Sequence, residues 1–194
     1  MTTYDRLWGV DYGSKMAGTT VVCFFQDLTI HFRQSGKNED ADRMILKLIA
    51  EKRPTLIMID APLSLPRVYL NSSNGPGDFF YRECDRELGA MSPMFLGGLT
   101  ARAMQLNQKA TEMEIEFLET YPKVQAHQLG YHDYKVLCCG NLAESIASKY
   151  SLVLGQEVQN FHQLDALLAF VSGIHYLKNS HKEFGRKEEG VIII

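Results

Sequence analysis

The chain has 194 residues with a formal net charge of -3, 45% hydrophobic and 22% charged residues. That is enough for a real core and fits one domain over 1–194. A net charge of -3 gives no global basic field, so any nucleic-acid contact has to use a local patch.

In chain order, "RLWGVDYG" predicts a short buried strand ending at a glycine turn. "TTVVCFFQ" predicts a second strand from its β-branched and aromatic residues, and the alternating "LTIHFRQS" a third. "DADRMILKLIAEK" carries a helical stripe through Met44, Leu46, Leu48 and Ile49. "TLIMID" predicts a fourth strand. Three meandering strands, a helix and another strand predict an α/β fold on a mixed sheet. Residues 61–80, with three prolines and a polar centre, read as a long surface loop. Helices follow at "FFYRECDREL" and "GLTARAMQLNQKATEM", and "IEFLETYP" predicts a fifth strand. "CGNLAESIASKYS" predicts a helix with Asn141 as a candidate cap. "NFHQLDALLAFVSGIHYLKN" predicts a long, buried helix, apolar on most of its surface. "KEEGVIII" reads as an edge strand or a frayed tail.

The four cysteines form no CxxC pair, and Cys23 and Cys138 read as small core residues. No signal peptide is expected at "MTTYDRLWGVDYG", and no apolar run reaches the roughly 18 residues of a membrane helix. A reducing, cytoplasmic location without membrane contact is the expectation.

Four acids stand singly in apolar elements: Asp11, Asp60, Glu119 and Asp165. An ionised carboxylate taken from water needs a donor, a basic side chain or a cation. If the strands of Asp11 and Asp60 run parallel, both acids emerge at the carboxyl edge of the sheet, where open α/β sheets place ligands. Clustered carboxylates raise one another's pKa, and a divalent ion removes that conflict. All-oxygen ligands suit Mg²⁺ or Mn²⁺. Each acid also has a plainer role: a cap or turn residue for Asp60, an ion pair for Glu119. His162, three residues before Asp165, shares its helix face and reads as a further ligand, a proton shuttle or a bystander. Gly13 allows close backbone approach of a phosphate to Ser14 and Lys15. Arg82 and Arg102 are the candidate substrate contacts, while Arg86 reads as an ion-pair partner of a solvated face. Lys123 and Lys135 extend a basic track. Tyr69, Phe79, Phe80 and Tyr81 offer bases a stacking surface or pack their loop onto the core.

"GVDYGSKMAGTTVV" resembles the first strand and turn of ribonuclease H-like nucleases, especially the Holliday-junction resolvases and their YqgF relatives. "MIDAPLSLP", "RECDRELG", "LETYP" and "LDALLAFVSGIHY", in that order, resemble an uncharacterised family of predicted nucleases with ribonuclease H-like fold, domain of unknown function 429. The resemblance runs from Leu7 to about Leu177. It implies a ribonuclease H-like (ribonuclease H/actin-like) α/β fold, a Mg²⁺- or Mn²⁺-dependent nuclease of DNA or RNA, and a homodimer. By it, Asp11, Asp60, Glu119 and Asp165 match catalytic metal-binding acids, and His162 stands where resolvases often carry another acid. The alternatives are a non-catalytic binding or scaffold protein of this fold, or an actin-like enzyme whose Asp-x-Gly-Ser turn holds phosphate.

Overall fold

The computed structural model describes residues 4–70 and 77–194. The polar centre of the long loop, residues 71–76, and the first three residues therefore lie outside the described part.

Strands β1 (Leu7–Asp11), β2 (Val21–Gln26) and β3 (Thr29–Gln34) form an antiparallel meander. Helix α1 (Ala41–Lys52) returns the chain to β4 (Leu56–Asp60), parallel to β1, and β5 (Glu116–Glu119) lies parallel to β4. The sheet order is β3-β2-β1-β4-β5. This is the α/β arrangement on a central mixed sheet expected from the sequence. Asp40 begins α1 by accepting the backbone N–H groups of Asp42 and Arg43.

The period of a strand sorts its side chains onto two faces. Leu7, Cys23, Leu56 and Met58 point to one apolar cluster. Trp8, Val10, Ile57 and Ile59 point to another. The second face is covered by α1 and α4 (Gly98–Thr111), through Ile45, Ile49, Ala103 and Leu106. The first is covered by α5 (Pro122–Gln128), α6 (Cys139–Lys149) and α7 (Phe161–Leu177). Asn160 caps α7 by accepting the N–H of Gln163, and the helix then stays buried from Gln163 to Ile174.

Helix α7 can lie against β1 because of two glycines. A Cβ on Gly9 would stand 2.2 Å from the backbone nitrogen of Phe170 and 2.3 Å from the carbonyl oxygen of Ala166. A Cβ on Gly173 would stand 2.3 Å from Leu7. These contacts carry the first turns of α7, with His162 and Asp165, to the end of β1.

Helices α2 (Glu83–Leu88) and α3 (Pro93–Leu96) follow the loop. The tail is neither frayed nor a lone edge strand: β6 (Glu183–Arg186) and β7 (Gly190–Ile193) form a hairpin. Ile192 and Ile194 pack it onto Cys84, and Thr120 bridges to Ile193. Asn141 does not cap α6. The cap position is Cys138, which is exposed rather than a core residue, while Cys23 is buried. Among the described residues no helix is long and apolar enough to cross a membrane.

Candidate functional site

Asp11 and Asp60 end adjacent parallel strands in register with one another. Both therefore emerge at the carboxyl edge of the sheet, and α7 brings Asp165 to them from one face. Asp11 accepts from, or pairs with, His162 Nδ1 at 2.7 Å. Asp165 is buried, accepts the Tyr134 hydroxyl at 2.7 Å, and pairs with Lys135 at 3.4 Å. Asp60 differs: among the described residues no donor reaches its carboxylate.

The electrostatics follow from this placement. Burial, then the charges of Asp11, Asp165 and Glu119, push the Asp60 carboxyl well above the ordinary range, against a small opposing pull from Lys135. Burial raises Asp165 to about 6, with Asp11 adding to the rise and the Tyr134 and Lys135 contacts opposing it. Burial raises Asp11 although its bond to His162 works the other way. That bond in turn raises the imidazole above its usual pKa. Three acids thus hold charge against one another at one sheet edge, and one of them lacks a partner.

Two clefts meet at Asp60. One, of about 430 Å³, is lined by Asp60, Asp165, Tyr134, Lys123, His132 and Lys135. The other, of about 240 Å³, is lined by Asp11, Asp60, Pro62, Met91, Leu96 and Tyr121, among others. The first cleft brings Lys123 and Lys135 to Asp60 beside Asp133 and Asp165, and the second sets Asp60 among Asp11, Asp85 and Glu119 together with Met91, Leu96 and Leu99.

Glu119 belongs to a different arrangement. Its two oxygens accept Arg82 Nη1 and Nη2, each at 2.6 Å, and Oε2 also accepts the Leu63 N–H at 3.0 Å. Arg82 gives its other hydrogens to Asp85, through Nε at 3.1 Å and Nη2 at 2.7 Å, and to Ser64 at 2.8 Å. All five donors of the guanidinium are used. Arg82 has no exposed surface, so the expectation that it touches substrate does not hold in this structure. It is a strut between β5, α2 and the loop after Asp60. Glu119 reaches the acid cluster by its charge, with its oxygens already occupied.

The remaining candidates lie elsewhere. Arg102 bonds Asp42 through Nε at 2.9 Å and Nη2 at 2.7 Å, and stands over the Tyr12 ring. Lys15 pairs with Asp40 at 3.1 Å, and Ser14 is exposed. Gly13 does not leave room for a ligand. A Cβ there would stand 2.1 Å from Thr19 Oγ1, and its N–H already donates to Thr20 Oγ1 at 3.0 Å. The turn after β1 is thus closed by its own threonines, which removes the main support for a phosphate loop of the actin-like kind. Arg86 forms the ion pair expected of it, with Asp78. Nothing local in the sequence marks Tyr134. It lies in the short turn Tyr134–Val136, where no periodic pattern marks it.

Among the described residues no three His, Cys, Asp or Glu side chains stand as placed in a group that would hold a metal ion. The donor chemistry of Asp11, Asp60 and Asp165 nonetheless fits a hard divalent cation. The set is all carboxylate, mutually repelling, and one member has no donor. No family model matches the chain, and no curated protein matches it. Among solved structures, a RuvC from Thermus thermophilus is similar at 12% identity and a TM-score of 0.47, over 90% of this chain and 96% of that one. Likeness at that level says nothing of activity.

Proposed function

We propose that the chain is a Mg²⁺- or Mn²⁺-dependent nuclease that hydrolyses phosphodiester bonds in DNA or RNA. The observation that carries the reading is Asp60. It is a carboxylate at the carboxyl edge of the sheet, between Asp11 and Asp165, with its pKa driven up and no donor among the described residues. Asp11, Asp60 and Asp165 would hold the cation. When bound, such an ion supplies charge stabilisation for an in-line displacement at phosphorus. The chain's own groups do the rest. Lys123 and Lys135 place positive charge beside the acids for a phosphate backbone. His162, held on Asp11 through Nδ1, has Nε2 at which to take up or release a proton. Tyr134 and Lys135 fix the orientation of Asp165.

The test is cleavage of labelled single-stranded, duplex and branched DNA and RNA with Mn²⁺, comparing wild type with Asp60→Asn and Asp165→Asn. The reading expects cutting of at least one substrate by wild type and a loss of a hundredfold or more in both variants. Cutting that survives both substitutions would remove these acids from the chemistry. No cutting, with no metal binding, would leave the non-catalytic scaffold reading.

A further inference from the structure

Phe95, the chain neighbour of a residue lining the cleft of Asp11 and Asp60, belongs to a group of exposed aromatic rings that the proposed chemistry does not use. Phe95 is 62% exposed, Phe79 59% and Phe80 51%, with Met91 61% exposed next to them. The expectation that these aromatics pack their loop onto the core fails for Phe79 and Phe80. Phe79 meets the Tyr69 ring edge-on at 6.2 Å instead, and Phe80 joins Phe95 and Tyr81. Phe80 and Phe95 stack at 5.5 Å with planes 27° apart, and Tyr81 meets Phe95 edge-on at 5.8 Å. The Arg86 guanidinium lies 4.1 Å over the Tyr81 ring. The backbone beneath is fixed. The Ser92 hydroxyl donates to the Phe80 carbonyl, and Ser92 also caps α3, which carries Phe95. The Phe80 and Tyr81 N–H groups are held by Asp78.

Exposed rings are expensive to leave in water, and a rigid set of them fits a flat partner. What lies beside the set says which partner. Met91 and Leu96, in the same short segment as Phe95, line the cleft that contains Asp11 and Asp60. Across Asp60 the other cleft carries Lys123 and Lys135. A strand whose phosphates follow the lysines and whose reacting phosphate lies at the acids would present its bases on the side of Met91 and Phe95. A duplex keeps its bases stacked on each other. A single strand, or an unpaired end or junction, has a base free to stack on a ring.

We propose that Phe80 and Phe95, flanked by Tyr81 and Met91, form a shelf on which an unpaired base of the substrate stacks, so that the site acts on nucleic acid with unpaired bases. This rests on the nuclease reading for its orientation, and its test is separate from cleavage. Binding of a labelled single-stranded oligonucleotide and of the same sequence as duplex is measured by fluorescence anisotropy in EDTA. A 2-aminopurine in the single strand reports stacking. The proteins are wild type, Phe95→Leu, Phe95→Tyr and Phe80→Leu. Both phenylalanines are more than half exposed, so the leucine variants keep the fold. The shelf predicts tighter binding of the single strand than of the duplex, and quenching of 2-aminopurine. It predicts about a tenfold loss in each leucine variant, with binding retained in Phe95→Tyr. Equal binding by wild type and both leucine variants would overturn it, as would wild type that binds no single strand. Either result, with Mn²⁺-dependent cleavage of duplex intact, would leave the nuclease reading standing. Self-association of wild type in sedimentation, abolished by Phe95→Leu without any effect on oligonucleotide binding, would assign the rings to a dimer contact instead.

Discussion

Replacing Arg82 by methionine removes a buried cation from between two buried carboxylates while keeping much of the side-chain volume. Five hydrogen bonds disappear: two to Glu119, two to Asp85 and one to Ser64. Removing one partner of a buried pair typically costs about 3–5 kcal/mol, because the other charge stays behind. Proton uptake limits that cost. A glutamate of ordinary pKa 4.5 is neutralised at pH 7 for about 3.4 kcal/mol, so Glu119 contributes no more than that through its charge. The expected loss is therefore about 3–5 kcal/mol at pH 7, read from urea unfolding with the m-value unchanged. Arg82→Met/Glu119→Gln keeps an acceptor for the Leu63 N–H and removes the orphaned charge, and it should recover about half of the loss. The sign with pH follows from linkage. Without Arg82 the folded Glu119 holds its proton to higher pH than the unfolded one, so the variant's deficit shrinks as pH falls toward 5. A loss below about 1 kcal/mol, or a deficit that grows as pH falls, would refute the strut.

The acid cluster predicts a site that is strained without its cation. Asp60→Asn should stabilise the metal-free chain by about 1–2 kcal/mol at pH 7.5, since it removes a carboxyl that has no donor among the described residues and three acidic neighbours. Thermal unfolding in EDTA checks this. The metal-free wild type should gain stability as pH falls from 7 to about 4. Asp165 titrates near 6 when folded against 3.8 when free, so over that window the folded state holds a proton that the unfolded state has lost. The gain from Asp165 alone is on the order of 2–3 kcal/mol, and a flat profile between pH 4 and 7 would contradict it. Gly9→Ala places a methyl group against the backbone of Phe170 and Ala166 and should cost about 3 kcal/mol or more by chemical denaturation.

What was legible in the sequence depended on how local the signal was. The strands of Asp11 and Asp60 announced themselves as apolar runs each closed by one acid, and parallel pairing then put both at one edge. Asp165 was visible because it is an acid inside a buried helix. The partner of Glu119 was not visible, since Arg82 lies 37 residues away and meets it only through the packing of α2 on β5. Nothing local distinguishes an arginine bound for the core from one bound for a phosphate. Helix α5 has little local signal, because "PKVQAHQ" carries almost no apolar stripe and is held by its packing on α7, where Ala126 is buried and Gln125 accepts the Ser172 hydroxyl. Tyr134, in a turn of one residue triplet, was silent for the same reason. The tail declared its apolar character, but its pairing partner, Glu183–Arg186, offers a single apolar residue, Phe184.

The proposed function requires a cation at Asp60. Calorimetric titration of Mn²⁺ into metal-free wild type and Asp60→Asn at pH 7.5 tests it most directly. Saturable binding to wild type is expected, and binding at least tenfold weaker to Asp60→Asn. Equal binding by both proteins, or none by wild type even with a single-stranded oligonucleotide present, would contradict it.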